Sequence, residues 1–225
     1  MDMAEKYGVV PKRFTREWWD YFWMYYKWHT IAIAFVIIAV TVTIVQKINA
    51  PKYDLTLTYA GTGYISEQSG NELRKALSPL CDDVDGNGKK QLSFLQINLS
   101  EDSKDAQYTM AMSMKLQLSL SEDETYIFIM DENQVKTYSG DNEQGGVFAP
   151  VKDWLTAEVS DDRLYAANGS DYVAVKLDGN KYLEDAGIDT NGKYLVMRFY
   201  PRQDQQKQIK GYKAAVKLAN KILSK

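Results

Sequence analysis

The residue types that carry most enzyme chemistry are scarce in this chain. Its 225 residues include one histidine, His29, and one cysteine, Cys81. A serine hydrolase triad, a cysteine–histidine dyad and a histidine-based zinc site each need a histidine beside a nucleophile or a second ligand. His29 adjoins the most apolar segment of the chain, far from Cys81 in sequence. The 30 acidic residues would allow paired-carboxylate chemistry, but no pair stands out. The sequence therefore predicts a protein that is not an enzyme.

A short glycine-containing turn is the first feature that could bind a ligand. It lies between a predicted strand and a predicted helix, where glycine-rich turns can cradle a phosphate. The third glycine of such a motif is replaced by Ser66, so a tight turn at the sheet edge is the alternative. Ligands of parallel α/β sheets gather at the carboxyl ends of the strands. We therefore expect any ligand site to involve the residues at those ends: Gly61, Thr62, Gly63, Asn98, Asp131 and Glu132.

An acidic loop is the second such feature. From Asp83 it reads DVDGNGK, which resembles the start of an EF-hand-type calcium loop. Asp83, Asp85 and Asn87 supply oxygen atoms at the first, third and fifth positions, and a glycine follows at the sixth. The twelfth position, where a bidentate glutamate is expected, holds Phe94. The loop is predicted to be either a simple turn between a helix and a strand or a weak calcium site. Calcium is the one cofactor that the sequence suggests.

One segment is apolar enough to cross a membrane. Residues 31–45 read IAIAFVIIAVTVTIV, without a charge, a glycine or a proline. Extended to residues 28–48, a helix of about 21 residues would be about 31 Å long and would match a hydrocarbon core of ~30 Å. A buried core helix and a cleaved signal peptide are the alternatives. However, 30 residues precede the apolar run, which is too many for the n-region of an ordinary signal peptide. We predict an uncleaved signal anchor over 28–48, in which the hydroxyls of Thr41 and Thr43 bond back to the preceding turn.

The orientation of this anchor follows from the basic residues on its two sides. Five precede it and two follow it: Lys6, Lys12, Arg13, Arg16 and Lys27 against Lys47 and Lys52. Because basic residues are retained on the cytoplasmic side, the N-terminus is predicted to be cytoplasmic and residues 51–225 extracellular, in a single-pass protein of the cell membrane. The lone Cys81 would then be extracellular and unpaired, which fits a bacterium that makes little use of disulfides.

The segment before the anchor is unusually aromatic. Residues 14–29 contain nine aromatic side chains and four of the five tryptophans. We predict that residues 1–27 form a cytoplasmic, interfacial aromatic helix that starts near Thr15. Its aromatic face would contact lipid headgroups, a multi-span membrane protein or both, and a cation–π site is a further alternative. The contact residues are predicted to be Trp18, Trp19, Phe22, Trp23, Tyr26 and Trp28.

Residues 51–225 are predicted to form one extracellular α/β domain. The pattern is strand, helix, strand, helix, strand over 53–59, 69–80, 91–99, 105–120 and 126–130. Such alternation favours a parallel sheet with crossover helices, and hence a three-layer fold with a mainly parallel sheet. The second helix has Ala106, Met110, Met114 and Leu118 on one face. A hairpin around Asn168-Gly169, a strand over 194–200 and a last amphipathic helix follow.

Residues 126–155 carry a resemblance to a known family. A buried strand over 127–130 ends in Asp131, and a short helix, a glycine turn at Gly145-Gly146 and an apolar segment over 148–155 follow. This order resembles the type II periplasmic-binding-protein-like fold of the extracellular solute-binding proteins of bacterial ABC importers. Residues 25–30, YYKWHT, together with the anchor are similar to a group of single-pass membrane proteins of Firmicutes. The resemblance implies a single lobe, since solute-binding proteins have two and residues 51–225 have room for about one.

These features together predict a membrane-anchored extracellular binding module that is not catalytic. The resemblance implies a small molecule, a peptide or a wall polymer as its ligand. The alternative is an accessory or scaffold subunit that docks a multi-span membrane complex through the aromatic helix. A nucleic-acid partner is not expected, because the sequence pI is about 5.3 and such binders usually carry a basic surplus.

Overall fold

The polypeptide divides into two units, residues Met1–Pro51 and Lys52–Lys225. The computed structural model describes residues 12–49, 51–99, 105–122, 125–140, 146–167, 171–199 and 206–224. Several residues used in the sequence predictions lie outside these ranges: Lys6, Gly145, Asn168, Gly169 and Tyr200.

The described part of the first unit contains one helix, α1, over Arg16–Asn49. The Thr15 hydroxyl accepts a hydrogen bond from the Trp18 N–H at 3.2 Å, which places the helix start where the sequence predicted it. The Thr41 and Thr43 hydroxyls donate to the carbonyls of the preceding turn at 2.7 and 2.8 Å, as predicted. The aromatic segment and the apolar segment therefore form one continuous helix. Its 34 residues are long and apolar enough to cross a membrane.

The second unit is built on a mixed sheet of six strands in the order β2-β1-β3-β6-β5-β4. Strands β2, β1 and β3 are parallel, as the sequence predicted, whereas β6, β5 and β4 join as antiparallel neighbours. The strands are β1 Leu55–Gly61, β2 Leu92–Asn98, β3 Thr125–Asp131, β4 Leu164–Tyr165, β5 Ala174–Lys176 and β6 Lys193–Met197. The α/β class is confirmed, but a mainly parallel sheet was predicted and a mixed one is found.

Between β4, β5 and β6 the described residues contain no helix long enough to carry the chain across the sheet, which explains the antiparallel pairing. A parallel pair needs a crossover of about a dozen residues or more, usually a helix long enough to span the sheet. Only the five-residue helix α5, Lys181–Asp185, lies between β5 and β6. The arms of the predicted hairpin, β4 and β5, pair through Leu164 with Val175 and Tyr165 with Ala174. These connections reverse the chain without carrying it across the sheet.

Helices cover both faces of the sheet. Strand β3 alternates between two cores, with Ile127 and Ile129 in one and Phe128 and Met130 in the other. The first core also contains side chains of α2, α5 and α6, and the second contains side chains of α3 and α4. The remaining helices are α2 Glu67–Leu77, α3 Ala106–Ser121, α4 Glu132–Ser139 and α6 Gln206–Leu223. The described residues thus form three layers.

The start of α2 differs from the sequence prediction. The sequence predicted a helix over 69–80, but α2 begins at Glu67, and the Ser66 hydroxyl caps it, accepting from the Ser69 N–H at 3.0 Å. Gly70 is buried, and a Cβ atom there would lie 3.2 Å from the Phe94 ring. Glycine at this position lets α2 approach β2 closely.

The face of α3 that packs on the sheet is not the one the sequence singled out. Met110, Met114 and Leu118 are 60%, 54% and 63% exposed, whereas Leu116 and Leu120 are buried in the second core. The helix carries two apolar rows, one with Met110, Met114 and Leu118 and the other with Leu116 and Leu120. The rows are offset by two residues in sequence, which places them about 200° apart around the helix axis. Because both rows repeat every four residues, periodicity alone cannot choose between them. We call Met110, Met114 and Leu118 the α3 stripe.

Truncation of a side chain is expected to affect stability differently on the two rows of α3. Leu116→Ala is expected to lower the free energy of unfolding by about 2–5 kcal/mol, because it empties a fully buried position. Met114→Ala, on the exposed row of the same helix, is the matched control and is expected to change it by less than about 0.5 kcal/mol. Chemical denaturation of the full chain in detergent, followed by circular dichroism, measures both. Equal losses for the two variants would contradict the assignment of the packed face.

Candidate functional site

The predicted ligand edge lies where β1, β3 and β6 meet. Strand β1 ends at Gly61 and β3 ends at Asp131, and the antiparallel β6 begins at Lys193, which pairs with Asp131. In the strand order β2-β1-β3, the chain leaves β1 in one direction to reach β2 and returns past it to reach β3. The gap between the ends of β1 and β3 is therefore a topological switch point, the place where ligands of open α/β sheets bind.

A carboxylate of the chain itself lies at this point. Asp131 Oδ2 accepts hydrogen bonds from the Thr62 N–H at 2.5 Å and from the Thr62 hydroxyl at 2.7 Å. Its other oxygen, Oδ1, accepts from Lys193 Nζ in an ion pair. The Tyr59 hydroxyl donates to the Thr62 carbonyl at 3.0 Å and fixes the turn. We call Thr62, Asp131 and Lys193 the Asp131 cluster. The donors that would hold an anionic ligand here are engaged by Asp131.

The Asp131 cluster is largely removed from water. The side chains of Lys193 and Asp131 are 9% and 15% exposed. Burial lowers the pKa of Lys193, but the hydrogen bond to Asp131 and the nearby Tyr59 outweigh it, and the pKa is raised overall. Burial also raises the pKa of Tyr59, which the nearby Lys193 partly opposes. Lys193 is therefore held as an ammonium ion, and its partner is the Asp131 carboxylate.

The two glycines of the turn have structural reasons to be glycine. A Cβ atom on Gly61 would lie 2.6 Å from Asp131 Oδ1, so any larger residue would collide with the carboxylate. Gly63 has a φ of 109°, which L residues rarely adopt. The close approach of Asp131 and the sharp turn account for this glycine pair without a bound phosphate.

The other predicted edge residues take different roles. Asn98 lies beside Gly61 in the sheet, and its Oδ1 is buried with no partner among the described residues. Glu132 belongs to a separate set, because its Oε1 accepts from Tyr165 at 3.0 Å and from Lys136 at 2.7 Å. The structure thus brings Gly61, Thr62 and Asp131 together and adds Lys193, which the sequence prediction missed.

The acidic loop is folded around its own carboxylates. Asp83 Oδ1 accepts from the backbone N–H groups of Gly86 and Asn87 at 2.7 and 3.1 Å, and Oδ2 accepts from that of Gly88 at 2.8 Å. The bond from Gly88, followed by those from Gly86 and Asn87, lowers the pKa of Asp83. Asp83 therefore stays ionised and holds the turn.

A third carboxylate joins this loop from a distant part of the sequence. Asp54, just before β1, accepts from the backbone N–H groups of Val84 and Gln91, both at 2.8 Å. One ligand atom each of Asp54, Asp83 and Asp85 lie within 4.8 Å of one another. Asp54 was missed because nothing in the loop motif indicates a residue 29 positions earlier.

The remaining positions of the calcium motif make hydrogen bonds or packing contacts within the chain. The Asn87 side-chain oxygen accepts from the Lys89 N–H at 2.7 Å, and its amide nitrogen donates to Asp85 at 2.7 Å. Phe94, at the twelfth position, lies in β2 and packs against α2 at Gly70. Calcium binding by Asp83, Asp85 and Asn87 as a set stays a prediction.

Four aromatic rings form a ladder that begins at Phe14, just before α1, and continues along one face of the helix. Ring centroids are 5.5 Å apart for Phe14 and Trp18, 5.4 Å for Trp18 and Phe22, and 5.6 Å for Phe22 and Tyr26. The ladder shows that Trp18, Phe22 and Tyr26, three of the predicted contact residues, share one face of α1. Three tryptophans lie outside the ladder and are 54%, 55% and 73% exposed within the described chain: Trp19, Trp23 and Trp28.

Comparison of the chain with known protein families, curated proteins and solved structures found no match. The resemblance to solute-binding proteins stays a prediction, and function has to be inferred from the geometry of the described residues.

The Asp131 cluster predicts strong coupling between its two charged residues. Lys193→Met is expected to cost about 3–5 kcal/mol of unfolding free energy, because it leaves a buried carboxylate without its partner. Adding Asp131→Asn is expected to recover much of that loss. Lys152→Met is the matched control, since Lys152 pairs with Asp171 at the surface, and its effect is expected to stay below about 1 kcal/mol. Denaturation of the single and double variants gives the coupling energy, and additive effects at Lys193 and Asp131 would contradict the pairing.

Proposed function

We propose that the chain is a single-pass membrane protein whose α/β unit serves as an extracellular accessory or scaffold subunit and binds a partner protein without catalysis. The α3 stripe is the observation that carries this proposal. Three large apolar side chains, each more than half exposed, lie four residues apart along a surface helix. Isolated apolar residues are common on protein surfaces, but a continuous row is typical of an interaction site.

The chemistry of the α3 stripe favours an apolar protein groove as its partner. Residues spaced by four along a helix are the anchors with which an amphipathic helix enters such a groove. Two of the three anchors are methionines, whose flexible thioether side chains adapt to irregular surfaces. Lys115 and Gln117 flank the row and supply polar contacts at its rim. A small solute would cover too little of a row that extends over two helical turns.

Helix α1 supplies the anchor and a second contact in this proposal. Its apolar part crosses the membrane, with the N-terminus in the cytoplasm because basic residues are more numerous on that side. The exposed Trp19, Trp23 and Trp28 would then contact lipid headgroups or a multi-span partner. Two contact surfaces, one on each unit, would suit a subunit that is held within a larger complex.

Solute binding is the second candidate, and the position of the Asp131 cluster is the observation that favours it. The cluster lies at the switch point where a ligand of this kind of sheet would bind. A ligand would have to displace Asp131 from Thr62 and Lys193, which are already satisfied. This requirement makes protein binding by the α3 stripe the better supported function.

Removing the α3 stripe is expected to abolish partner binding. The triple variant Met110→Glu, Met114→Glu and Leu118→Glu should lose a co-purifying membrane protein when the full chain is isolated in mild detergent, because charges cannot enter an apolar groove. Gln117→Glu adds a charge to the same helix beside the stripe and is expected to keep the partner. Quantitative mass spectrometry of the bound fraction measures both. Retention of the same partner by the triple variant would contradict the proposal, and a small molecule that stabilises the wild type but not Asp131→Asn would favour solute binding.

The proposed orientation predicts which positions are reached from outside the cell. Cys81 is fully buried, and burial followed by the charge of Asp54 raises its pKa to about 12, so the native chain should not react with a maleimide. A cysteine at Tyr64, which is 80% exposed, is expected to react with a membrane-impermeant maleimide in intact cells. A cysteine at Arg13 is the matched control and should react only after the cells are permeabilised. The reverse pattern would overturn the orientation.

A further inference from the structure

We propose that one calcium ion binds at the edge of the cavity between the acidic loop and α6, through Asp54, Asp85 and the side-chain carbonyl of Gln208, which line the cavity, and through Asp83, whose carboxylate approaches those of Asp54 and Asp85. Two of these four ligands lie outside the loop motif and became apparent only from the fold. The site is independent of the proposed partner binding, since it shares no residue with the α3 stripe.

The three carboxylates have the spacing that one ion requires. Oxygen ligands lie about 2.3–2.6 Å from Ca²⁺, so two ligands on opposite sides of the ion are ~4.6–5.2 Å apart. One oxygen each of Asp54, Asp83 and Asp85 lie within 4.8 Å of one another. The backbone bonds that fold the loop use only part of each carboxylate, because an ionised carboxylate offers about four acceptor positions.

Gln208 provides the second, independent indication of a ligand. It is 6% exposed, and its Oε1 is buried without a hydrogen-bond partner among the described residues. It lines a cavity of about 30 Å³ together with Asp54, Asp85 and Tyr126. Buried carbonyl groups are almost always satisfied, so the unpaired carbonyl of a residue that lines a cavity with two carboxylates is an available ligand for a cation. The cavity has room for about one ion or water molecule.

The donor set favours calcium over other occupants. All four groups present oxygen atoms, and carboxylate with amide carbonyl oxygens is the combination that hard cations prefer. Three lysines of α6 line a pocket beside the loop, Lys210, Lys213 and Lys217. Lys217 pairs with Asp82 at 2.8 Å, and no ion pair of Lys210 or Lys213 with the three carboxylates is found among the described residues. A water molecule could satisfy Gln208 but would not offset the negative charge of three carboxylates. Mg²⁺ demands near-ideal octahedral geometry, whereas Ca²⁺ takes six to eight oxygen ligands in a flexible geometry, so that waters would supply the ligands beyond the four protein oxygens.

Bound calcium would join three parts of the second unit. Asp54 precedes β1, Asp83 and Asp85 belong to the loop before β2, and Gln208 lies in the first turn of α6. The ion would therefore fix the start of α6 against the amino end of the sheet.

Calorimetric titration of the full chain in detergent with CaCl₂ tests the site. We expect one ion per chain with a Kd of about 0.1–1 mM, as in extracellular calcium modules. At 10 mM Ca²⁺ the Tm is expected to rise by roughly 3–7 °C. Asp85→Asn should weaken binding at least tenfold, and Gln208→Met, which keeps the side-chain length and removes the carbonyl, at least threefold. Asp82→Asn removes the same charge from the residue next to Asp83 and is the matched control, expected to stay within twofold of the wild type.

Folding of the variants is checked by circular dichroism in EDTA, where all of them should resemble the wild type. If Asp85→Asn fails this check, Gln208→Met and Asp82→Asn still decide the question. No heat and no Tm change at 10 mM Ca²⁺ would overturn the proposal. Equal affinity for Asp82→Asn and Gln208→Met would overturn the assigned site, and equal affinity for Mg²⁺ would overturn the assignment to calcium.

Discussion

The complete burial of strand β3 is the constraint on which the α/β unit depends. From Thr125 to Met130 no side chain is more than 3% exposed, and the strand is paired on both edges, with β1 and with β6. A strand of this kind needs apolar cover on both faces, which α6 with α2 supplies on one side and α3 with α4 on the other. The polar residue that ends the strand, Asp131, is thereby carried into a nearly dry position, where it needs a cationic partner. Lys193 meets that need because β6 runs antiparallel and begins at the same edge.

This constraint also shapes what the sheet edge can do. In many open sheets the donors at the switch point are free for a ligand, whereas here Thr62 and Lys193 are satisfied within the chain. Breaking such a buried pair leaves an uncompensated charge, so displacement of Asp131 would be costly for any ligand without its own carboxylate. The same arrangement explains why Gly61 has no side chain. The polar groups at this sheet edge are therefore satisfied within the chain, and the outer helices offer the better surface for contact with other molecules.

Much of the fold could be predicted from the sequence, and the parts that could not have identifiable causes. Local patterns predicted the strands around Leu57, Phe94 and Ile127 and the parallel pairing among them, since strand and helix signals alternate there. Lys193 could not be predicted, because it lies 62 residues after Asp131 and reaches it only through the antiparallel direction of β6. The face of α3 failed for a different reason: both of its rows are apolar and repeat every four residues, so only the sheet decides which row is buried.

The candidate sites were predictable to different degrees for the same physical reason, which is the distance along the chain between their parts. The loop ligands Asp83 and Asp85 form a local motif, whereas Asp54 and Gln208 reach them only through the fold. The acidic loop lies before β2 and contacts the residue that precedes β1, so it occupies the amino end of the parallel strands, and the Asp131 cluster occupies the carboxyl end. A strand of seven residues spans roughly 20 Å, well beyond the range at which separate substitutions interact. The α3 stripe lies on an outer helix face and shares no residue with either set. The three features are therefore energetically separable, and a change at one can be interpreted without correction for the others.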